Sequence, residues 1–597
     1  MEKTVRFYES RAAECTRALD GLNRRIRILG MLRLLVFAGG IAAVWICRDS
    51  GWAAWAGIGA VAAAVFAALV VVHSGLFAQR KHVEALLRVN GEELRGLDYD
   101  YGAFDGAAEA ADGEHDFGVD LDIFGDQSLF RSINRTVTHV GRAMLVDFFK
   151  RPPTAKADIV KRQAAVAEMG RAALFRQDFR AAGLSGGGEP DDVVQCRALF
   201  AQPLRFVRRS VWRAVVWAIP VLWVAAGVGM VFFGLPSGAA GVAFALSFLV
   251  GALPGVRIHR LHKSAEKTEK VLKTYSQLIA RIEKASFRCD ELREMQRAFV
   301  TPSGNASQII GRLSAIIDAL DGRFSLAGLL LQILYLRDVR QAMRLEAWTG
   351  AYAGASARWF DALARFDALC SLGGFAFNHP DYVYPEITDG CFRMEGRALG
   401  HPLLHRDRCV RNDVSIARSP FFLIVTGANM AGKSTYLRTV GVNFVLACMG
   451  LPVCAESLAV TPAHLVTSLR TTDSLAAHES YFFAELKRLK MIIDRLQAGE
   501  RLFVMLDEAL KGTNSHDKQA GSLALMKRLI ALGACGVIAT HDLLLGTLAD
   551  EFPDHTRNCC FEADITDDRL TFTYRLRQGI ARNMNASFLM KKMGITL

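Results

Sequence analysis

The sequence predicts a helical chain, interrupted by two apolar hairpins and followed by an α/β domain. Three observations carry this. Four apolar runs of bilayer-crossing length fall into two pairs with short breaks. The stretches between and after them are charged and helix-periodic. From Gly390 onward, short apolar runs alternate with helical segments around a glycine-rich loop.

At 597 residues and 51% hydrophobic composition, the chain has room for several domains, each with its own core. Its 72 Lys and Arg against 60 acidic residues give a formal charge of +12, which suits nucleic acid, anionic lipid or the basic flanks of membrane helices without choosing between them. Twelve cysteines lie scattered from Cys15 to Cys560 with no zinc-like pair spacing, and the adjacent Cys559-Cys560 reads as local coincidence. A reducing compartment is expected. The opening MEKTVRFYES has acidic residues and no early apolar run, so it does not read as a cleaved signal peptide.

The first pair of runs is Ile28 to Ile46 and Gly51 to about Val72, broken by Cys47-Arg48-Asp49-Ser50; the second is Ala214 to Phe233 and Ala239 to Val256, broken by Gly234 to Gly238. Arg24, Arg25 and Arg27 precede the first pair, and Arg80 and Lys81 follow it. Arg205, Arg208, Arg209 and Arg213 precede the second, and Arg257, Arg260 and Lys263 follow it. Basic residues on all four outer flanks predict four spans of the cytoplasmic (inner) membrane, with the chain ends and the region between hairpins on the cytoplasmic side. Buried core helices are the alternative, given Arg33 within the first run and the abundance of Gly and Ala. The expected organisation is a cytoplasmic segment at 1–27, a transmembrane hairpin at 28–76, a cytoplasmic helical region at 77–210, a second hairpin at 211–256, a helical lever or core region at 257–389 and the α/β domain at 390–597.

Between the hairpins, Gly106 to Asp116 reads as a loop. Helical pattern follows through Leu129, Val137, Met144 and Phe148, stops at Pro152-Pro153 and resumes near Ala157. Leu261 to Arg297 predicts one long helix with an apolar stripe at Leu272, Tyr275, Leu278, Ile279 and Ile282, and helical periodicity continues from Leu313 to Leu372. Strands are expected at Phe421 to Val425, Leu502 to Leu506, Cys535 to Ala539 and Leu570 to Tyr574.

The loop Val425 to Thr435, VTGANMAGKST, stands between a strand-like and a helix-like run, as a phosphate cradle requires. Backbone N–H groups from Ala428 through Asn429, Met430, Ala431 and Gly432 can wrap a β-phosphate at the positive end of the following helix. Lys433 supplies the charge for the β- and γ-phosphates, Ser434 offers its hydroxyl to Mg²⁺, and Thr435 completes the loop. About 75 residues on, an apolar strand ends in Asp507-Glu508. Asp507 is placed to partner Mg²⁺ and Glu508 to polarise the attacking water. The strand Val537 to Thr540 ends at His541, placed to sense a γ-phosphate or orient water. Lys511 to Asp517, rich in small polar groups, suits an interface that communicates occupancy.

On these motifs the chain resembles the MutS family of ATPases, in the ABC-type superfamily. The family loop TGPNM(G/A)GKST is similar to Thr426 to Thr435, with Ala428 in place of proline. Its serine-aromatic-acid element resembles Ser480 to Glu485, its DE-x-x-x-GT segment Asp507-Glu508 with Gly512-Thr513, and its ATH triplet Ala539-Thr540-His541. His401-Pro402 matches the family's HP element, and Gly579 to Gly594 resembles its closing helical element. Thr138-x-x-Gly141, Ile159 with Arg162-Gln163, and Phe366 to Leu369 resemble parts of its helical core. The resemblance covers roughly 120–200 and 260–597, and implies an ABC-type ATPase domain that uses ATP and Mg²⁺. It further implies a head-to-tail homodimer in which the region around Ser480 reaches the γ-phosphate held by Lys433 of the partner subunit. The adenine-stacking residue of relatives falls near Cys409 to Asn412, and Cys409 would stack poorly.

Two departures bear on function. The family's mismatch-reading Phe-x-Glu has a match in Phe7-Tyr8-Glu9, but membrane-like sequence begins about 20 residues later, so a mismatch-reading domain is not expected there and the match reads as chance. A C-terminal nuclease domain is not expected either, with about 90 residues after Glu508. The second hairpin interrupts the core where relatives extend towards their clamps. Two functions are therefore expected to compete. One is an ATP-dependent ATPase tethered to the lipid bilayer that binds double-stranded or branched DNA, with Lys263, Lys267, Lys270 and Lys273 meeting phosphates; the alternative for those lysines is a solvated helix face. The other is a membrane-bound mechanochemical ATPase acting on a membrane-protein partner. A transporter fits less well, because the spans lack internal acids.

Overall fold

The computed structural model describes residues 1–49, 51–186, 210–321, 326–428, 430–470, 481–510, 514–566 and 569–581. Two helices, α1 (Glu2–Ile46) and α2 (Trp52–Leu97), of 45 and 46 residues, form the first antiparallel hairpin. At 1.5 Å per residue each extends about 68 Å, roughly twice a bilayer's hydrocarbon thickness. The expected boundaries at 27/28 and 76/77 are not element boundaries. Nothing in Arg24 to Gly30 or His73 to Lys81 breaks a helix, so each apolar run is one half of a longer rod. No part of either apolar run is buried in the protein. The two rods touch closely at Gly40, where a Cβ would come 2.8 Å from that of Ala62. Arg33 is accommodated within the pair, its Nη1 2.7 Å from His73 Nδ1 and its guanidinium over the Phe66 ring.

The helical body comprises α3 (Leu129–Ile133), α4 (His139–Lys150), α5 (Lys156–Arg171) and α6 (Ala173–Gly186), and later α9 (Gly255–Lys284), α10 (Asp290–Arg297), α11 (Ala306–Asp321) and α13 (Arg337–Asn378). The Thr138-x-x-Gly141 pattern has a physical reason here. Thr138 Oγ1 accepts the Gly141 N–H as helix cap while donating to Asp367, and a Cβ on Gly141 would overlap the Asp367 carboxylate. The α9 stripe Leu272, Tyr275, Leu278, Ile279 and Ile282 is buried. The single helix expected over Leu261 to Arg297 is two, because Glu168 takes the N–H groups of Arg288 and Cys289 at 2.7 and 2.6 Å and holds the chain out of helix there. A two-residue hairpin, β1 (Val300–Thr301) with β2 (Gly304–Asn305), precedes α11.

The second hairpin is α7 (Ser210–Phe233) and α8 (Gly238–Ala252). The expected run Ala239 to Val256 is shorter than predicted: Pro254, with no N–H to give, ends α8 at 15 residues, and α9 begins beyond it. By length and composition, α1, α2 and α7 can cross a membrane; α8 is shorter. The helical periodicity expected from Leu313 to Leu372 is met by α11, α12 (Leu326–Tyr335) and α13, with buried Leu336 at φ +46 turning the chain between the last two.

The C-terminal region has a central six-stranded sheet in the order β14 (Arg577–Gln578), β11 (Thr556–Phe561), β6 (Phe421–Gly427), β10 (Cys535–Thr540), β9 (Leu502–Asp507), β8 (His464–Ser468), parallel except for β14. Its strands are near-continuous apolar runs because helices cover both faces: α14 (Lys433–Cys448) on one, α15 (Tyr481–Gln497) and α16 (Ser515–Ala531) on the other. A four-stranded side sheet, β3 (Glu386–Ile387), β7 (Ser457–Val460), β4 (Met394–Leu399), β5 (Asn412–Ile416), lies alongside. The strand expected at Leu570 to Tyr574 does not join the central sheet; β13 (Arg569–Phe572) pairs with β12 (Ala563–Thr566) in a separate hairpin.

Candidate nucleotide site

Register across the central sheet assembles the site. Val425 of β6 pairs with Ala539 of β10, and Ala539 pairs with Asp507 of β9, so three strands end level and deliver the glycine-rich loop, the acidic pair and His541 to one carboxyl edge. Gly432 at φ +107 caps α14, a conformation that favours glycine. Met430 is exposed at the loop tip and Ala431 is buried. Lys433 is 5% exposed, and its Nζ donates to the carbonyls of Gly427 at 2.7 Å and Ala428 at 3.0 Å, curled under the loop. Asn429 and Ser480, both expected in the site, lie outside the described residues.

Ser434 Oγ donates to Asp507 Oδ2 at 2.6 Å. Two hard oxygens in contact, one in the first turn of α14 and one at the end of β9, fit a Mg²⁺ ion. Glu508 sits at φ +53, its N–H bonded to the Ala539 carbonyl, and its Oε1 is 3.2 Å from His541 Nδ1. Lys518 approaches the other ring nitrogen at 3.5 Å. Glu485 explains the acid that ends the Ser480 element: buried under the site, its Oε1 accepts the Leu510 N–H at 2.7 Å and fixes the turn after Glu508.

Lys433, Ser434, Thr435 and Glu508 line a cavity of about 440 Å³ together with Leu404, Cys409, Val410 and Tyr574. Tyr574 was not singled out in the sequence. Its ring lies against the loop, 3.2 Å from where a Cβ on Gly432 would stand, and it supplies the aromatic face that Cys409 lacks. Asn412 holds it there, donating to the Tyr574 carbonyl at 3.0 Å and accepting the Leu576 N–H at 2.8 Å. No spacing rule points to Tyr574, because 162 residues separate it from Asn412. His401 stands beside this wall, and burial, reinforced by Arg438, holds its imidazole down to about 4.

A second group was also missed. Asp120 accepts from Thr467 Oγ1 at 2.6 Å and from the N–H groups of Leu469 and Arg470, while Asp122 bridges Arg438 of α14 and Arg470 at 2.9 and 2.7 Å. The segment between α2 and α3 thus grips both the helix that begins at Lys433 and the strand end that leads into residues 471–480.

Residues 423–592 match the model of MutS domain V. The chain is 35% identical over 231 residues to the DNA mismatch repair protein msh3 of Aspergillus oryzae, covering 37% of this chain and 20% of that protein. It is 36% identical over 225 residues to the DNA mismatch repair protein MutS of Natronomonas pharaonis (37% and 26%), and 29% identical over 235 residues to the human MutS protein homolog 4 (38% and 24%). The chain therefore spans about a fifth to a quarter of the length of these relatives. With its loop, acidic strand end and histidine on one sheet edge, the C-terminal region of this chain is similar to MutS domain V.

Proposed function

We propose that this chain is an ATP-hydrolysing MutS-like protein tethered to the cytoplasmic membrane by its apolar hairpins, working as a homodimer and binding double-stranded or branched DNA. The observation that carries the ATPase reading is the Ser434–Asp507 contact at 2.6 Å beside Lys433, with the Glu508–His541 pair on the same sheet edge and Lys433, Ser434 and Glu508 lining one cavity. In it, Lys433, Ser434 and Asp507 hold the phosphates and Mg²⁺, the ion neutralising charge on the γ-phosphate when bound. Glu508 orients the attacking water, His541 fixes the Glu508 carboxylate, and Tyr574 stacks on the base. DNA as the partner rests on the names of the relatives and on the basic balance of the chain. Support for the tether is the exposed apolar surface of α1, α2 and α7.

A second reading, a mechanochemical ATPase acting on a membrane-protein partner, is favoured by the length of α1 and α2 and by the Asp122 bridge from the segment that follows α2 to α14. One experiment separates the two. The full chain in detergent or nanodiscs is assayed for ATP turnover and for binding to duplex and branched DNA at two salt concentrations, with Glu508→Ala as control. Salt-sensitive DNA binding that changes Glu508-dependent turnover is expected. Glu508-dependent turnover indifferent to every DNA would sink the DNA reading, and turnover surviving Glu508→Ala would sink the assignment of the site.

A further inference from the structure

We propose that α12 is a membrane-inserted half-helix, its leucines packed among lipid acyl chains beside the second hairpin. This rests on the reading of that hairpin as lipid-facing.

The helix is built inside out for water. Its sequence LAGLLLQILY carries no charge. Leu329, Leu330, Leu331 and Leu334 are 42–54% exposed. Gln332, the polar member of the run apart from Tyr335, is turned the other way: its Oε1 accepts the Asp338 N–H at 2.9 Å, and its Nε2 lies where a Cβ on Gly251 of α8 would be, 2.9 Å away. A helix facing water reverses that arrangement, with leucines in and glutamine out. The leucines instead continue the apolar surface of α7 and α8, against which α12 packs, and the join is fixed by Trp223 Nε1 donating to Ser247 Oγ and the Ile333 carbonyl at 3.0 and 3.2 Å.

The end of the helix carries the marks of a membrane–water boundary. Arg340 lies 3.6 Å from the Tyr335 ring centre and 5.1 Å from that of Trp217, and donates to the carbonyls of Val216 and Tyr335. Trp, Tyr and Arg at one level, above an uncharged surface, are the groups that prefer the headgroup region. Ten residues reach only about 15 Å, half the hydrocarbon thickness, so from this boundary α12 enters without crossing. The occupant is therefore acyl chain rather than water or a second copy of this chain, which would present a rim of its own.

The test uses the wild-type full chain in phosphatidylcholine nanodiscs. It is labelled in parallel by a diazirine carried on a lipid acyl tail and by hydroxyl radicals generated in water. Both labels are read by mass spectrometry on the tryptic peptides 324–337 and 214–257. Lipid label on 324–337 at a level like that on 214–257, with little radical label, is the expected result. Radical label on Leu329 to Leu334 while 214–257 keeps its lipid label overturns the half-helix and leaves the hairpin reading standing. Neither label on 324–337 means that protein covers it, and overturns the proposal in favour of a contact between copies. Absence of lipid label from both peptides overturns the hairpin reading as well.

Discussion

The two apolar hairpins are alike in composition and differ in how they are rooted. The first is a pair of unbroken rods whose lower halves enter a buried polar network: Arg180 bridges Glu92 and Glu93, Arg135 pairs with Glu93 at 2.7 Å, and Asn378 links Glu93 to Tyr8. From the end of α2 the chain runs directly into the segment that carries Asp120 and Asp122 to the nucleotide site. The second is shorter, carries Pro220 within α7 and ends at Pro254, and is held largely by apolar packing with α12. A rod fixed by directional charge pairs transmits displacement, whereas an apolar bundle in a fluid surrounding absorbs it. On the proposed membrane reading, the first hairpin serves as a lever and the second as an anchor.

That distinction can be broken in graded ways. Glu508→Gln should lower ATP turnover by about 10²–10⁴-fold, the scale of a lost general base, while both hairpins keep the protein in the membrane fraction; loss of membrane retention would mean that the anchor depends on the site. Arg180→Ala leaves two buried carboxylates without their shared partner and should cost about 3–5 kcal/mol, read as a fall in the melting temperature of the purified chain. Protection of α1 and α2 in hydrogen exchange should drop while α7 and α8 hold theirs, and equal loss in both hairpins would contradict separate roots.

Acid should act on the first root as well. Burial pushes the His379 imidazole down to about 4 against its ordinary value near 6.5, although its contact with the Phe375 carbonyl favours the charged form. Between those values the unfolded chain takes up a proton that the folded chain refuses. Stability from this site is full above pH 6.5 and is lost as the pH falls towards 4, by on the order of 2–3 kcal/mol. His379→Phe should flatten that part of the melting-temperature profile, and an unchanged profile would show that His379 is not the group responsible. Tyr574→Ala should raise KM for ATP about tenfold with a smaller change in kcat, the scale of one lost base–aromatic stack. The smallest effect belongs to the bridge: Asp122→Asn should change turnover only severalfold but weaken the response of α2 to nucleotide, measured as the difference in its hydrogen exchange with and without ATP. If that difference survives intact, the lever does not run through Asp122.

Much of the site was readable in advance where chemistry demands consecutive residues. A phosphate loop must be one segment, so Lys433 and Ser434 stand next to each other in the chain, and a strand ending in two acids announces Asp507 and Glu508. The apolar runs of the hairpins were readable for the same reason, since each is one continuous stretch of the chain. What the sequence could not give were the boundaries of the rods, because hydropathy changes at residue 28 and helix propensity does not. Nor could it give α12, whose ten residues fall below the length that announces a span and whose leucines match the period of an ordinary core helix.

By itself, then, the sequence determined the local devices: the loop, the acidic strand end, the helical stripe of α9 and the apolar runs. Only the tertiary structure decided which distant residues meet, with Tyr574 against Gly432, Glu485 beneath Leu510, Asp122 between Arg438 and Arg470, and Gln332 turned from the surface that its leucines occupy. Local pattern records what a residue's neighbours along the chain require of it; contacts across hundreds of residues follow from strand register and helix packing, which leave no periodic trace.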